Sequence, residues 1–244
     1  MPHVDQASAG CRCEWGPIAL ESLAPADVVI VVDVLSFSTC VDVAVGRGAA
    51  ILPYRWKDAS AESFAASQRA ELARARGRGR YSLSPASFQA VPPGTRCVLP
   101  SPNGATLSLA AAAQGATVLT ACFRNARAVA KAARAIGSTF NVCPAGERWS
   151  DGSLRFAIED WLAAGAVLHA LPGRRSPEAE AAIAAFERRE GAIRETLAAS
   201  SSGRELIEIG FDIDVEYAAC VDVSGSVPKL AGSAFVDAHG PAGS

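Results

Sequence analysis

The pattern of apolar and polar positions is most regular in one stretch near the start of the chain. Residues 28–32 are five consecutive β-branched residues, followed by Asp33, a group of hydroxyl side chains and an amphipathic run that ends at Gly46. An uninterrupted apolar strand is typical of a parallel sheet covered on both faces, and the Ser/Thr group favours a helix start. Because ligands of open α/β sheets bind beyond the carboxyl ends of the strands, Asp33 is a candidate active-site carboxylate.

Similar patterns continue along the chain, with apolar strands followed by amphipathic helices. Strands are predicted at 11–15, 49–53, 97–100, 117–121 and 139–143, and helices at 17–23, 59–76, 105–113, 124–136 and 154–171. Residues 82–94 between them are rich in turn formers. This alternation predicts an α/β fold with a mainly parallel central sheet that helices cover on both sides.

The last third of the chain has a different pattern. Helices are predicted at 176–199, 203–209 and 212–221, and two closing strands at 227–230 and 234–236. We see no internal repeat and no convincing linker, so residues 1–244 are predicted to form a single domain, which could include a helical subdomain near 174–218. The final residues, 240–244, are expected to be disordered.

Composition and charge exclude several classes of protein. Half of the 244 residues are hydrophobic and the net charge is −2, so there is no overall basic field that would suggest nucleic acid. Arginines alternate with other residues over 74–80, which we interpret as a solvated loop rather than a polyanion site. No signal-peptide pattern is present and no run reaches about 18 apolar residues, the length that a membrane helix needs.

The seven cysteines are odd in number and form no C-x-x-C pair. We interpret them as reduced thiols of a cytoplasmic protein, and Cys11 and Cys13 as too isolated to form a zinc site. The three histidines are scattered, which disfavours serine-type hydrolysis. The sequence leaves open whether the chain forms a homodimer.

Three further polar stretches follow predicted strands. Ser101 to Thr106 opens a helix, and its glycine, Gly104, allows a backbone N–H to approach a ligand closely, so it is either an anion cradle or a plain capped turn. Arg124 and Asn125 open another helix, with capping and ligand contact about equally favoured for the asparagine. The third stretch, 144–153, contains Glu147, a candidate Mg²⁺ ligand, and Arg148, a candidate anion-binding residue.

Two adjacent acids, Glu159 and Asp160, lie within the predicted helix 154–171 among apolar neighbours. Adjacent helix positions point about 100° apart, so both acids cannot face solvent if the helix packs closely on the sheet. Arg155 lies one turn before Glu159 and could pair with it, which leaves Asp160 as the acid that we expect to face the site.

Together these stretches resemble the 2-phosphosulfolactate phosphatase family. The resemblance covers roughly residues 11–236 and is carried, in order, by Val-Asp-Val-Leu-Ser-Phe-Ser-Thr at 32–39, Ser-Pro-Asn-Gly-Ala-Thr at 101–106, Phe-Arg-Asn-Ala at 123–126, Ala-Gly-Glu-Arg-Trp-Ser-Asp-Gly-Ser-Leu-Arg at 145–155, Glu-Asp at 159–160, Ala-Gly-Ala at 164–166, Ser-Gly-Arg-Glu-Leu at 202–206, Gly-Phe at 210–211 and Asp-Val-Glu at 214–216. The resemblance implies a three-layer α/β/α fold with a mainly parallel or mixed sheet. It also implies a Mg²⁺-dependent phosphatase that converts (R)-2-phospho-3-sulfolactate to 3-sulfolactate and phosphate, on the way to coenzyme M.

On this resemblance we expect particular roles for the polar residues. Asp33, Glu147 and Asp160 are the expected catalytic residues and Mg²⁺ ligands, and Asp33 could instead be a nucleophile that forms an aspartyl-phosphate. The residues expected to bind the small anionic phosphorylated substrate are Ser36, Ser38, Thr39, Ser101, Asn103, Gly104, Thr106, Arg124, Asn125 and Arg148. Haloacid-dehalogenase phosphatases need Asp-x-Asp and are disfavoured, because Leu35 occupies the second position.

One position departs from the resemblance. Many members of the family carry arginine directly after Asp-Val-Leu, where this chain has Ser36. Arg55, Arg124 and Arg148 are candidates for the missing charge. The departure keeps two alternatives open, a phosphatase for another phosphorylated hydroxy acid and a non-catalytic anion-binding relative.

Overall fold

One central sheet organises the molecule. The structure, a computed structural model, describes residues 3–56 and 58–240. The strands are β1 (Cys11–Cys13), β2 (Val28–Val32), β3 (Ala50–Tyr54), β4 (Glu71–Leu72), β5 (Arg96–Pro100), β6 (Thr117–Ala121), β7 (Phe140–Pro144), β8 (Glu147–Arg148), β9 (Leu154–Arg155), β10 (Pro228–Ala231) and β11 (Ala234–Asp237). The helices are α1 (Gly16–Ser22), α2 (Phe37–Val45), α3 (Ser60–Ser67), α4 (Gly104–Ala113), α5 (Ala126–Ile136), α6 (Ile158–Ala170), α7 (Pro177–Arg189), α8 (Ile193–Ala199), α9 (Ser201–Glu208) and α10 (Asp212–Ala219).

The sheet is mixed, although most of its strand pairs are parallel. Nine strands of the described chain follow the order β1-β7-β2-β6-β10-β11-β3-β5-β4, and β8 and β9 form a separate antiparallel hairpin. Two parallel groups, β1-β7-β2-β6 and β3-β5-β4, are joined by the antiparallel hairpin of β10 and β11. Because the three pairings between β6 and β3 are all antiparallel, the two groups run in opposite directions, and the loops that follow β2 and β7 share one edge of the sheet.

Strand β2 is buried on both faces, as its continuous apolar run predicts. Val28, Ile30 and Val32 belong to one hydrophobic cluster, which includes residues of α5, α6 and α7. Val29 and Val31 belong to a second cluster, which includes residues of α1, α2 and α4. Alternate side chains of a strand point to opposite faces, so the two clusters are the two interfaces of a three-layer α/β/α fold. This confirms the expected fold class.

Two predicted helices were too long at one end. The helix expected at 59–76 ends with α3, because Arg69 has a positive φ of 48° and the chain then pairs with β5 as strand β4. The helix expected at 154–171 begins only at Ile158, because Leu154 and Arg155 pair with β8 instead. In both cases strand pairing, with β5 for β4 and within a local hairpin for β9, outweighs helix propensity.

The segment between Pro177 and Ala219 is helical throughout, as predicted, apart from short turns and a 3-10 segment at Glu190–Ala192. The two closing strands are present as β10 and β11. The N–H of Gly240 donates to the carbonyl oxygen of Asp237. The rest of the tail that we expected to be disordered, residues 241–244, lies outside the described residues.

The cysteines are all free thiols, six of them buried, in agreement with the prediction of reduced cysteines. Among the described residues, no helix combines the length and apolar character needed to cross a bilayer.

Candidate active site

Asp33 lies where β2 ends and α2 is about to begin, and its side chain is nearly buried, with 5% of the residue exposed. Its Oδ2 accepts hydrogen bonds from the N–H of Gly104, at 2.7 Å, and from the hydroxyl of Ser101, at 3.4 Å. Gly104 is the first residue of α4, so the carboxylate lies at the positive end of that helix. The N-terminus of α4 therefore holds the charged form of Asp33 in a fixed orientation.

Position 104 has no room for a side chain. A Cβ there would lie 2.4 Å from Cδ1 of Phe37 and 2.6 Å from Oδ2 of Asp33. The expectation that Gly104 permits a close approach of its N–H is thus realised, but the group that approaches is the Asp33 carboxylate. The Ser101–Gly104 turn serves the site by positioning Asp33.

Two hydroxyls expected to bind substrate instead build the turn after β2. The Ser38 hydroxyl accepts the N–H of Asp33 at 2.9 Å and contacts the Thr120 hydroxyl at 2.6 Å. The Thr39 hydroxyl donates to the carbonyl oxygen of Val34 at 2.7 Å. Because both side chains are completely buried, they hold the backbone on either side of Asp33.

Four carboxylates collect at this edge of the sheet: Asp33, Glu147, Glu159 and Asp160. Burial raises the pKa of Glu147 from 4.5 to about 7, and the charges of Asp33 and Glu159 add to the effect. Burial followed by the charges of Asp33 and Glu159 also raises the pKa of Asp160 well above its usual range. Acids crowded together raise one another's pKa, and a bound cation would relieve that repulsion.

Asp160 has a positioning role in this arrangement. Its Oδ1 accepts the N–H of Val34 at 2.7 Å, and its Oδ2 accepts the N–H of Gly146 at 2.9 Å. The carboxylate therefore ties the loop after β2 to the loop after β7. With both oxygens engaged by backbone donors, Asp160 is less suited to hold a metal than the expectation assumed.

Glu159 faces inward as well, contrary to the argument that singled out Asp160. Arg155 lies in the hairpin of β8 and β9 and forms its ion pair with Glu205, at 2.8 Å. Glu159 is in the first turn of α6, is 1% exposed, and its Oε2 is buried with no hydrogen-bond partner. Burial also raises the pKa of Glu159. The unpaired Oε2 of this side chain is held inside the protein.

A cavity of about 210 Å³ opens beside these groups. Its polar lining comprises Asp33, Ser36, Arg76, Ser101, Asn103, Glu147, Ser202 and Glu205. The side-chain amide of Asn103 donates to Oε2 of Glu147 at 3.0 Å, which orients that carboxylate toward the cavity. A larger cavity of about 600 Å³ adjoins it and shares Arg76, Leu83 and Ile209.

Several expected substrate-binding residues do not line this cavity. Arg124 forms an ion pair with Asp42 at 2.8 Å, and Asn125 caps its own turn by accepting the N–H of Cys122 at 2.9 Å. Arg148 is exposed and donates to the carbonyl oxygen of Gly152. Thr106 is half-buried in the first turn of α4, and Arg55 is exposed.

The sequence argument missed two groups, Glu159 and Arg76. Arg76 comes from the glycine- and arginine-rich stretch that we interpreted as a solvated loop. In the structure its Nη2 donates to the Ser36 hydroxyl at 3.0 Å and its Nε contacts Asp214 at 3.2 Å. Asp214 belongs to the Asp-Val-Glu segment at 214–216, one of the segments that carry the family resemblance. An acid in such a segment needs a cation nearby, so this segment was a signal for the pair with Arg76.

The carboxylates fit a magnesium ion in their chemistry. Mg²⁺ takes oxygen ligands and is usually held by one or two carboxylates while it keeps several waters. Within residues 3–56 and 58–240, no three His, Cys, Asp or Glu side chains converge on one point that could hold a metal. A site of one or two carboxylates remains compatible with this arrangement, and the unpaired Oε2 of Glu159 is a ready donor.

Comparison with known proteins identifies the family. A family model described as 2-phosphosulpholactate phosphatase matches residues 18–233, which is most of the chain. This chain belongs to the 2-phosphosulfolactate phosphatase family. The family is one of hydrolases, and the resemblance noted from the sequence segments is thereby confirmed.

Relatives from distant organisms support the same assignment. A probable 2-phosphosulfolactate phosphatase of Gloeobacter violaceus is 29% identical over 212 residues, which cover 83% of this chain and 88% of the relative. The 2-phosphosulfolactate phosphatase of Methanothermobacter thermautotrophicus is 36% identical over 110 residues, covering 45% of this chain and 46% of the relative. A probable 2-phosphosulfolactate phosphatase of Carboxydothermus hydrogenoformans is 29% identical, covering 82% of this chain and 85% of the relative.

Proposed function

We propose that this protein hydrolyses the phosphate monoester of 2-phospho-3-sulfolactate to 3-sulfolactate and phosphate, and that the reaction depends on Mg²⁺. The observation that carries the proposal is the buried Asp33 carboxylate, fixed by the N-terminus of α4 and facing a cavity lined by a second acid, Glu147, in a chain of this family. An anion-binding protein without a metal would gain nothing from four clustered acids, because each would repel the ligand.

A bound Mg²⁺ would neutralise the charge of the phosphate and polarise its oxygens. Asp33 and Glu147 are the proposed ligands. Asp160, whose two oxygens both accept backbone N–H groups, is proposed to contribute by holding the loops after β2 and β7 in place.

The remaining groups act by positioning, which is the main task in phosphoryl transfer. Gly104 holds Asp33, and Asn103 holds Glu147, so the two acids keep their orientation while substrate binds. The hydroxyls of Ser36 and Ser101 line the cavity and can donate to phosphate oxygens. In the alternative role, the Asp33 carboxylate would attack phosphorus while the P–O bond to the hydroxy acid breaks and the departing oxygen takes up a proton. Water would then hydrolyse the aspartyl-phosphate to phosphate and free carboxylate.

A panel of phosphorylated hydroxy acids tests the proposal. Phosphate release is measured from 2-phospho-3-sulfolactate, 2-phospholactate and 3-phosphoglycerate, each with excess Mg²⁺ or with EDTA. We expect release from 2-phospho-3-sulfolactate that EDTA abolishes and Mg²⁺ restores. Faster release from another acid would assign a different substrate. Ser36 in place of arginine is the reason to test this alternative. No release from any of them would support a non-catalytic anion-binding relative.

Two further implications of the resemblance stay predictions. One is a cytoplasmic location, and the other is the use of 3-sulfolactate for coenzyme M. Fractionation of the native cells and tracing of labelled 3-sulfolactate would test them.

A further inference from the structure

Arg76 reaches the catalytic cavity from a segment outside the strand-end loops. It lies after β4, where the chain leaves the sheet, and its Nη2 donates to the Ser36 hydroxyl at 3.0 Å. Arg76 lines the same cavity as Asp33 and Glu147. A guanidinium therefore lies next to the Ser36 hydroxyl, inside the cavity that Asp33 and Glu147 line.

The orientation of Arg76 is fixed by its surroundings. Its Nε contacts Oδ2 of Asp214 at 3.2 Å, and Asp214 is completely buried and accepts the Ser84 hydroxyl. The guanidinium also lies over the ring of Phe211, 5.6 Å from its centre. The side chain of Arg76 is 20% exposed, compared with 51% for Arg74 on the same segment. Such anchoring is unusual for a solvated loop and typical of a positioned binding group.

The cavity has few other sources of positive charge. Among the described residues that line it, Arg76 is the only lysine or arginine. Arg124 is held by Asp42 outside this cavity, and Arg148 is exposed on the hairpin of β8 and β9. A substrate with a phosphate and two further acid groups needs a cation besides any metal, and Arg76 is placed to supply it.

We propose that Arg76 binds the acid group of the substrate that is remote from the phosphate, the sulfonate, and so determines specificity. A guanidinium has five N–H donors in a planar fork, and the contacts with Asp214 and Ser36 use two of them. Ser36 leaves room at its own position and orients Arg76 through its hydroxyl. This inference rests on the proposed phosphatase activity for its choice of ligand.

The test compares two substrates that differ only in the sulfonate, 2-phospho-3-sulfolactate and 2-phospholactate. For Arg76→Gln we expect kcat/KM for the sulfonated substrate to fall about 10- to 100-fold, mainly through KM, as for other lost charge-assisted hydrogen bonds. For 2-phospholactate we expect a fall of less than about threefold, because its methyl group makes no such bond. Arg76→Lys should restore part of the discrimination.

Two control variants accompany this experiment. Arg74→Gln removes a neighbouring exposed arginine that pairs with Glu62, and it should change neither substrate's kinetics. Arg76→Gln/Asp214→Asn removes both charges of the buried pair, so that no unpaired acid destabilises the protein. It should lose the preference for the sulfonate in the same way as Arg76→Gln.

Equal losses for both substrates would mean that Arg76 only supports the fold, and would overturn the inference. Binding of 3-sulfolactate, measured by titration calorimetry in the presence of Mg²⁺, gives a second readout that needs no turnover. We expect Arg76→Gln to weaken it at least about tenfold relative to wild type. If the wild type hydrolyses neither substrate, the proposed function fails, but calorimetry still tests the role of Arg76. Undiminished binding of 3-sulfolactate by Arg76→Gln would overturn the inference.

Discussion

Two buried aspartates of α2 and the turn before it have opposite surroundings. Asp42, within the helix, faces Arg124 at 2.8 Å and accepts the Ser224 hydroxyl at 2.6 Å. Asp33, just before the helix, faces backbone donors and three other acids. The two residues are similarly buried, at 1% and 5% exposure. Burial alone therefore does not distinguish a functional acid, but the clustering of further buried acids around it does.

The cluster around Asp42 pairs the acid with a cation, whereas the cluster around Asp33 contains further acids. Burial raises the pKa of Asp42, while Ser224 and Arg124 oppose that rise. Arg124 also lies over the ring of Tyr217, 5.6 Å from its centre. Such an ion pair holds structure together, and Arg124, unlike the similarly paired Arg76, does not line the cavity beside Asp33. The comparison teaches that Arg124, an arginine at a strand end, stabilises the fold.

Replacement of the two aspartates should separate activity from stability. Asp33→Asn should lower kcat/KM for 2-phospho-3-sulfolactate at least about 1,000-fold, or about 4 kcal/mol, because the ionised carboxylate is required whether as ligand or nucleophile. Its free energy of unfolding should stay equal or rise, because one of several like charges is removed. Steady-state kinetics and urea unfolding measure both. Substantial activity in Asp33→Asn with Mg²⁺ would remove this residue from the centre of the site.

Asp42→Asn should show the reverse behaviour. Loss of the acid leaves Arg124 nearly buried without its partner, and the free energy of unfolding should fall by about 3 kcal/mol. The value of kcat/KM at a temperature where the variant is folded should stay within about twofold of wild type. A large loss of activity with unchanged stability would mean that the cluster around Asp42 contributes to catalysis.

Gly104→Ala probes how the helix N-terminus holds Asp33. The added Cβ would meet Asp33 and Phe37 at distances far below van der Waals contact, so α4 must move away from the carboxylate. We expect the free energy of unfolding to fall by about 2 kcal/mol and kcat/KM to fall about tenfold or more. Gly191→Ala, at a position where a Cβ would meet no atom within 4 Å, is a control for added side-chain volume alone. Wild-type activity in Gly104→Ala would contradict the positioning role.

The surplus of negative charge should also make stability depend on pH. The pKa of Glu147 is about 7 in the folded protein against 4.5 ordinarily, so between these values the folded state binds more protons than the unfolded state. In EDTA, the free energy of unfolding should therefore fall as pH rises from 5 to 8. We expect about 1 to 2 kcal/mol from this group, less than the full shift implies because solvent reaches part of the side chain.

Chemical denaturation of wild type and Glu147→Gln at the two pH values measures this effect. The variant should lose part of the dependence and be the more stable protein at pH 8. Added Mg²⁺ should stabilise wild type more at pH 8 than at pH 5, because a carboxylate must lose its proton to bind a metal. An unfolding free energy that rises from pH 5 to pH 8 in EDTA would contradict the account of this cluster.

The sequence predicted the parts of the site that follow strands directly. Asp33, Ser101 and Glu147 each come immediately or soon after an apolar run. The parallel strands β2 and β7 bring Asp33 and Glu147 to one edge, whereas β5 runs the other way and the turn at Ser101 reaches the site through its hydrogen bonds to Asp33. Three-layer packing could be predicted from the continuous apolar run of β2, whose side chains enter both hydrophobic clusters. These features depend on local pattern, which a sequence displays.

What the sequence did not display are contacts across long separations. Arg76 and Asp214 are 138 positions apart, so local composition alone made Arg76 one of several loop arginines. Glu159 was assigned to Arg155 by helical spacing, and that spacing vanished when Arg155 joined the β8–β9 hairpin. The end of α3 was misjudged because the chain after it pairs with β5, and the start of α6 because Leu154 and Arg155 pair with β8.

The hairpin of β10 and β11 has a consequence for the order in which the protein is made. Asp33 belongs to one parallel group of strands and the Ser101–Gly104 turn to the other, and the hairpin is hydrogen-bonded to both groups. Its strands leave the ribosome long after the segments that they join. The nascent chain therefore carries two partial sheets with open edges, which need protection until the hairpin arrives. We therefore expect the site to become active only late in synthesis, when the hairpin pairs with the open edges of the two partial sheets.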